Sequence, residues 1–306
     1  MMNKLGTVAF SCLLILLAGV VTLAQQVADP HFDTRVENPA FTKNFPRVLF
    51  DEAHYNFDTI NNRYKPFADL LFNDGYQVAV NRKPFAKASL ATFKIVVIVN
   101  PLGGEDMDEE GADGPAFTTE ECDALIEWIR GGGALLLIVD HAPFASAAGT
   151  FAERLGVDMS KGSTEDAANA DKEFNSPSVI VYSRENQLLQ SQAITNGRSD
   201  AERVKRVLVF GGQSLKGPPG SEVLLKLADT AADKIPAPGK DASAAGRAQG
   251  LAFRLGKGRV VVLGDAAMLS AQLSGSDNQP VGMNVPGVDN RQLTLNIIHW
   301  LSGVLK

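Results

Sequence analysis

The chain has 306 residues, is 45% hydrophobic and only 7% aromatic, and carries a formal net charge of −6. With no basic cluster to neutralise phosphates, nucleic acid is excluded as a partner. The length suits a single α/β domain with a sizeable core.

At the N-terminus, Lys4 precedes the uncharged stretch LGTVAFSCLLILLAGVVTLA, and Thr22 and Ala24 stand at −3 and −1 of a cut before Gln25. This layout predicts a secretory signal over residues 1–24 and a periplasmic or secreted protein with no membrane attachment after cleavage. An uncleaved anchor is the alternative, since about twenty apolar residues also span a bilayer. Gly19 and the polar Gln25-Gln26 favour cleavage. Cys12 leaves with the signal, so Cys122 stays alone and no internal disulfide can form. Cys122 shares a helical face with Leu125, Ile126 and Ile129 and reads as a small core residue. Residues 25–45 read as an extended segment and 46–306 as one domain.

RVLFDEAHYN, residues 47–56, carries the Asp-Glu-Ala-His of nucleic-acid motors. Such motors also need G-x-x-x-x-G-K-[ST] to grip phosphates. Gly239-Lys240 is followed by Asp241 and Gly256-Lys257 by Gly258, so the motor reading fails.

Apolar runs of strand length follow: VLF (48–50), YQVAV (76–80), KIVVIV (94–99), ALLLIV (134–139), SVIVY (178–182), RVLVF (206–210), LAFRL (251–255) and RVVVL (259–263). Several are apolar at every position, as in strands buried on both faces of a parallel sheet. Helices alternate with them. One runs through Tyr64, Phe67, Ala68 and Leu71 and stops at Gly75; a second opens on the Thr118–Glu121 capping box and ends at Gly131. A third carries Phe151, Ala152 and Leu155, and the last places Leu293, Ile297, Trp300, Leu301 and Val304 on one stripe. The alternation predicts a doubly wound α/β fold with a mostly parallel sheet, and LAFRL-GKG-RVVVL adds a hairpin near the C-terminus. Residues 102–117, 157–176, 229–249 and 271–289 break the rhythm and read as long loops.

Ligands of open parallel sheets bind outside the carboxyl ends of the strands. Those ends carry Asp51, Glu52, His54 and Asn56, then Asn100, then Asp140 and His141, then Gln213, and finally Asp265. Local alternatives exist for several. Asp265 can cap a helix over AAMLSAQL, Asn56 or Asp58 can cap the helix after them, and Asn100-Pro101 is a common turn pair. Asp140-His141 resists such a reading, because Pro143 as a first helical residue puts the cap at Ala142. His31 lies in the extended segment, and His299 reads as a structural polar residue. Asp106, Asp108, Glu110 and Gly111 open like a calcium loop, but position 12 is Phe117 instead of Glu, so a solvated acidic loop is the better reading.

RVLFDEAHYN, DGY (74–76), VNPLGG (99–104), FTTEE with IRGGGALLLIVDH (117–141), VFGGQSL (209–215) and GKGRVVVLGDAAM with DNRQLTLNIIHWLSG resemble a group of exported bacterial proteins with a class I glutamine-amidotransferase-like domain of unknown function. The resemblance covers about residues 46–304 and implies a flavodoxin-like three-layer sandwich. Related domains occur with gliding machinery and transporters, where the resemblance implies binding and not catalysis. True amidotransferases hold a nucleophilic Cys on a tight turn after a central strand. Here that turn is Asp140-His141-Ala142-Pro143, with Ser146 too far on. Two functions are therefore expected. The first is a binding module whose rim holds a small polar ligand or a protein partner. The alternative is a hydrolase in which the Asp51, Glu52, His54, Asp140 and His141 cluster binds a divalent metal, with Asp51, His54, Asp140 and His141 as ligands.

Overall fold

The computed structural model describes residues 26–235 and 241–306; the expected signal, 1–24, lies outside them. Five strands run parallel: β1 (Arg47–Asp51), β2 (Gln77–Asn81), β3 (Ile95–Val99), β4 (Ala134–Ile138) and, far along the chain, a strand at Gly258–Leu263. The strand before that last one, β5 (Ala248–Leu255), pairs with it antiparallel through a two-residue turn, Leu255 facing Gly258. With Gly258–Leu263 as β6, the order is β2-β1-β3-β4-β6-β5. Beyond β5 come the short strands Leu215–Lys216 and Asp158–Met159, and Glu222–Lys226 also pairs with β5, all antiparallel. The sheet is therefore mixed and not mostly parallel, because the long insertions fold back onto the hairpin.

Strand alternation sorts side chains into two cores. Val48, Phe50, Val97, Val99, Leu136 and Val261 face one side, under α1 (Lys65–Asn73) and a C-terminal helix at Asn290–Ser302. Leu49, Val96, Ile98, Leu135, Leu137 and Val262 face the other, under α2 (Thr119–Arg130) and α3 (Gly149–Leu155). Two buried faces explain why these strands are apolar at every position. Local signals set the helix ends: Thr118 and Glu121 form the capping box of α2, and Gly156, at φ 79°, ends α3. The last helix, α4 (Asn290–Ser302), stops before Val304.

Three expectations change. SVIVY and RVLVF do form strands, Val179–Ser183 and Arg206–Phe210, but they pair with each other, antiparallel, in a two-stranded sheet outside the main one, with Ala170 bridged to Ile180. AAMLSAQL is not a helix: a 3-10 turn at Ala267–Leu269 leads into a strand, Ala271–Ser274. The stretch 271–289, read as a loop, supplies that strand and Gln279–Gly282, which form a three-stranded sheet with Val27–Ala28 of the N-terminal segment. That segment is pinned further on, where the Asp74 carboxylate accepts from Ala40 N at 2.8 Å and Arg291 donates to the carbonyls of Asp33 and Arg35. No helix among the described residues is long and apolar enough to cross a membrane.

Candidate functional site

The strand ends of the rim hold two separate polar nodes. The first forms where β1 runs out. His54 Nδ1 lies 2.7 Å from Asp51 Oδ2, and its Nε2 lies 2.8 Å from Oε1 of Glu121, in the first turn of α2. Asn81, ending β2, donates to the other Asp51 oxygen at 2.9 Å. Glu121 also accepts from the backbone N–H groups of Phe85 and Thr118. The rings of Phe85 and Phe117 pack at 5.1 and 4.5 Å from that of His54 and exclude water. Burial alone would lower the His54 pKa; the hydrogen bonds and charges of Asp51 and Glu121 overcome this and raise it. Glu121 moves the opposite way: burial pushes its carboxyl up, but the Thr118 N–H, His54 and the Phe85 N–H bring it below its ordinary value. His54 is thus held between the side chains of Asp51 and Glu121, which favour its charged form.

The second node surrounds Asn100, which directly follows β3 at φ 41° in the left-handed region. Its Nδ2 donates to Asp58 Oδ2 at 3.0 Å and to Asp140 Oδ2 at 2.8 Å, and its Oδ1 accepts from Asp140 N at 2.9 Å. The other Asp140 oxygen accepts from Ala266 N at 2.9 Å. Asp265 accepts from the N–H groups of Phe210, Ala267 and Met268, so it does cap a turn, though a 3-10 one. Burial, and next the charge of Asp140, push Asp58 up to about 7 and Asp265 up to about 8. Burial also raises Asp140, against the Asn100 amide and the Ala266 N–H. Tyr64, buried beneath, feels all three carboxylates and donates to the Ala266 carbonyl at 2.7 Å. Gln213 reaches in from beyond the sheet and donates to the carbonyls of Val139 and Asp140, both at 3.0 Å. His141 and Asp140 stay partly open to solvent.

Among the expected site residues, Asn100, Asp140, Gln213 and Asp265 belong to this node, with His141 at its edge. Asp51 and His54 belong to the other. Asn56 bridges them, accepting from His54 N and donating to the Val99 carbonyl, and it caps no helix. Glu52 turns aside to Ile60 N and Arg82. The expected metal set does not fit this arrangement. Both ring nitrogens of His54 and both oxygens of Asp51 and Asp140 are already hydrogen-bonded, and His141 Nδ1 sits 2.9 Å from the Ala142 carbonyl. Among the described residues no three His, Cys, Asp or Glu side chains gather as a metal would require. Glu121, Asp58 and Asn81 are partners that sequence reading missed. Glu121 was visible only as a cap, and nothing in its spacing shows that its carboxylate also faces His54, 67 residues away.

At the bend after β4, Asp140 to Pro143 lead into a short helix, Phe144–Ala147, which holds Ser146. Cys122 is fully buried in α2, with its thiol pushed up by burial. Neither stands at the nucleophile position.

No protein-family profile matches the chain, and no curated protein matches it either. Among solved structures, it is similar to the mmIFT52 N-terminal domain: 14% identity, TM-score 0.61, covering 83% of this chain and 97% of that one. The two share a fold. A ThuA-like protein from Bacteroides uniformis (13% identity, TM-score 0.44, 90% of this chain, 95% of that one) and PurLQS from Thermotoga maritima (11%, 0.42, 84% and 99%) also match. The fold likeness rests on the mmIFT52 domain.

Proposed function

We propose that the chain is an exported binding module on a glutamine-amidotransferase-like, flavodoxin-like three-layer scaffold, and that the partly open edge at Asp140 and His141 holds a small polar ligand. The order β2-β1-β3-β4-β6, with a core on each face, supports the scaffold. One observation carries the non-catalytic reading: the bend that would present a nucleophile carries Asp140-His141-Ala142-Pro143, and its acidic side chain is fixed by Asn100 and Ala266 N. Acyl transfer needs a thiol or hydroxyl within reach of a base, and neither is there.

The test combines turnover with binding. The protein should release no ammonia from glutamine above background. A panel of polar metabolites should contain at least one that raises the melting temperature of wild type, and Asp140→Asn with His141→Ala should lose that response. Chelator should leave the wild-type melt unchanged. A chelator-induced fall that Asp140→Asn removes would reinstate the metal-dependent hydrolase, and glutaminase activity lost on Cys122→Ala would overturn the fold register itself.

A further inference from the structure

A second recess lies beside the rim, between the strand Val27–Ala28 and the segment that joins β1 to α1. It encloses about 480 Å³, within the range of small-molecule sites. Its walls bring together Arg63 and Lys65, the carboxamides of Gln26, Asn61 and Asn62, and the ring of Phe57; no carboxylate lines it among the described residues. In a chain with net charge −6, a pocket whose charged lining is cationic throughout stands out.

Arg63 is the organising group. Its guanidinium lies over the Phe57 ring, 4.4 Å from the centroid, and its Nε donates to the Gln26 carbonyl at 3.3 Å. These two contacts fix the plane of the fork. Its Nη1 approaches Asp58 only to 3.9 Å, beyond hydrogen-bond distance, so neither Nη group makes a hydrogen bond among the described residues. Lys65 is committed elsewhere, 2.5 Å from Asp69. Structural arginines usually spend their donors on carbonyls and carboxylates, as Arg247 does with Asp158 and Ser214. Arg63 is ion-paired at long range with Asp58 but leaves both Nη groups without a hydrogen bond among the described residues, and a planar fork held rigid is suited to bidentate capture of a carboxylate. Val27 and Ala28 give the recess an apolar wall, which favours an organic acid over an inorganic anion.

We propose that this recess binds a small organic carboxylate, clamped by Arg63 and covered by the N-terminal strand. The recess adjoins the Asn100 node through Asp58, which faces Arg63 at 3.9 Å, but the proposal does not rest on the ligand reading at the Asp140 edge.

Benzoate serves as the probe and inorganic phosphate as the comparison, followed by amide chemical shifts and thermal melting. Benzoate should shift the Asn61 and Asn62 amides and raise the melting temperature. Arg63→Gln should weaken it by about tenfold or more, the worth of one charge-assisted pair. Because Arg63→Gln also loosens the strand, Asn61→Asp provides a second check: this exposed residue makes no side-chain hydrogen bond among the described residues, so a carboxylate there should repel benzoate while leaving the melt of the free protein unchanged. Failure of benzoate to bind at millimolar concentration, or equal binding by both recess variants, overturns the site. Phosphate binding as tightly as benzoate overturns the ligand class.

Discussion

His54 shows how a side chain that reads as a ligand in a sequence can be enclosed by its own partners in space. An imidazole next to Asp and Glu at a strand end reads as a ligand or a base, and the sequence made its position on the rim legible. What it could not convey is that Glu121 and two phenylalanine rings close around it, because those partners lie on helix α2 and the loops before it, and no local pattern marks them as partners of His54. Breaking such a buried pair by removing one partner leaves an uncompensated charge and typically costs about 3–5 kcal/mol. The pH dependence follows from the shifts. His54 is raised, so its contribution is complete below its ordinary 6.5 and fades as pH climbs through the elevated folded value. Glu121 is lowered, so its share is present above its ordinary 4.5 and fades as pH falls through the depressed value. His54→Ala should therefore be most damaging near pH 6 and progressively less so toward pH 9. Urea unfolding of wild type and variant across that range checks this, and a penalty independent of pH would mean that only ring packing had been lost.

At the scale of elements, strands β1 to β4 and the four labelled helices were legible because each carries a complete local signal: an unbroken apolar run, a capping box, or a terminal glycine. The failures share one cause. Val179–Ser183 and Arg206–Phe210 have the same composition as core strands, and composition does not say which strand a run will pair with. The segment 271–289, rich in Gly, Asn and Pro, hides two short strands that pair with each other, and the outer partner of the first, Val27–Ala28, lies at the far end of the chain. The hairpin was recognised from GKG, but the sequence could not show what packs over it. A Cβ on Gly258 would sit 2.0 Å from the Ile129 carbonyl oxygen, at the end of α2. Gly258→Ala should cost about 1–3 kcal/mol, as overpacking does. Gly149→Ala, where a Cβ meets nothing within 4 Å, should fall within about 0.5 kcal/mol of wild type. Equal melting temperatures for the two would show that the turn relaxes without pressing on α2.

For the whole molecule, the exported reading makes a direct statement about mass and thiol count. Material from the periplasm should begin near Gln25 and contain one thiol, Cys122, which is fully buried and should react with a disulfide reagent only after denaturation. Intact mass with timed thiol labelling measures both; retention of residues 1–24 would mark the apolar stretch as an anchor. The tethering of the N-terminal segment has a temporal side. Beside early partners such as Asp74 and Arg63, the segment is held by Gln272 and Leu273 at Val27–Ala28, Asn284 at Asp29, and Arg291 at Asp33 and Arg35, which are made in the last stretch of synthesis. The central strand β6 also arrives late, between β4 and β5. Contacts spanning nearly the full chain cannot form on a nascent fragment, and topologies dominated by them fold slowly. The N-terminal strand and the middle of the sheet therefore close only with roughly the final fifty residues in place, and a chain cut short of them would lack both.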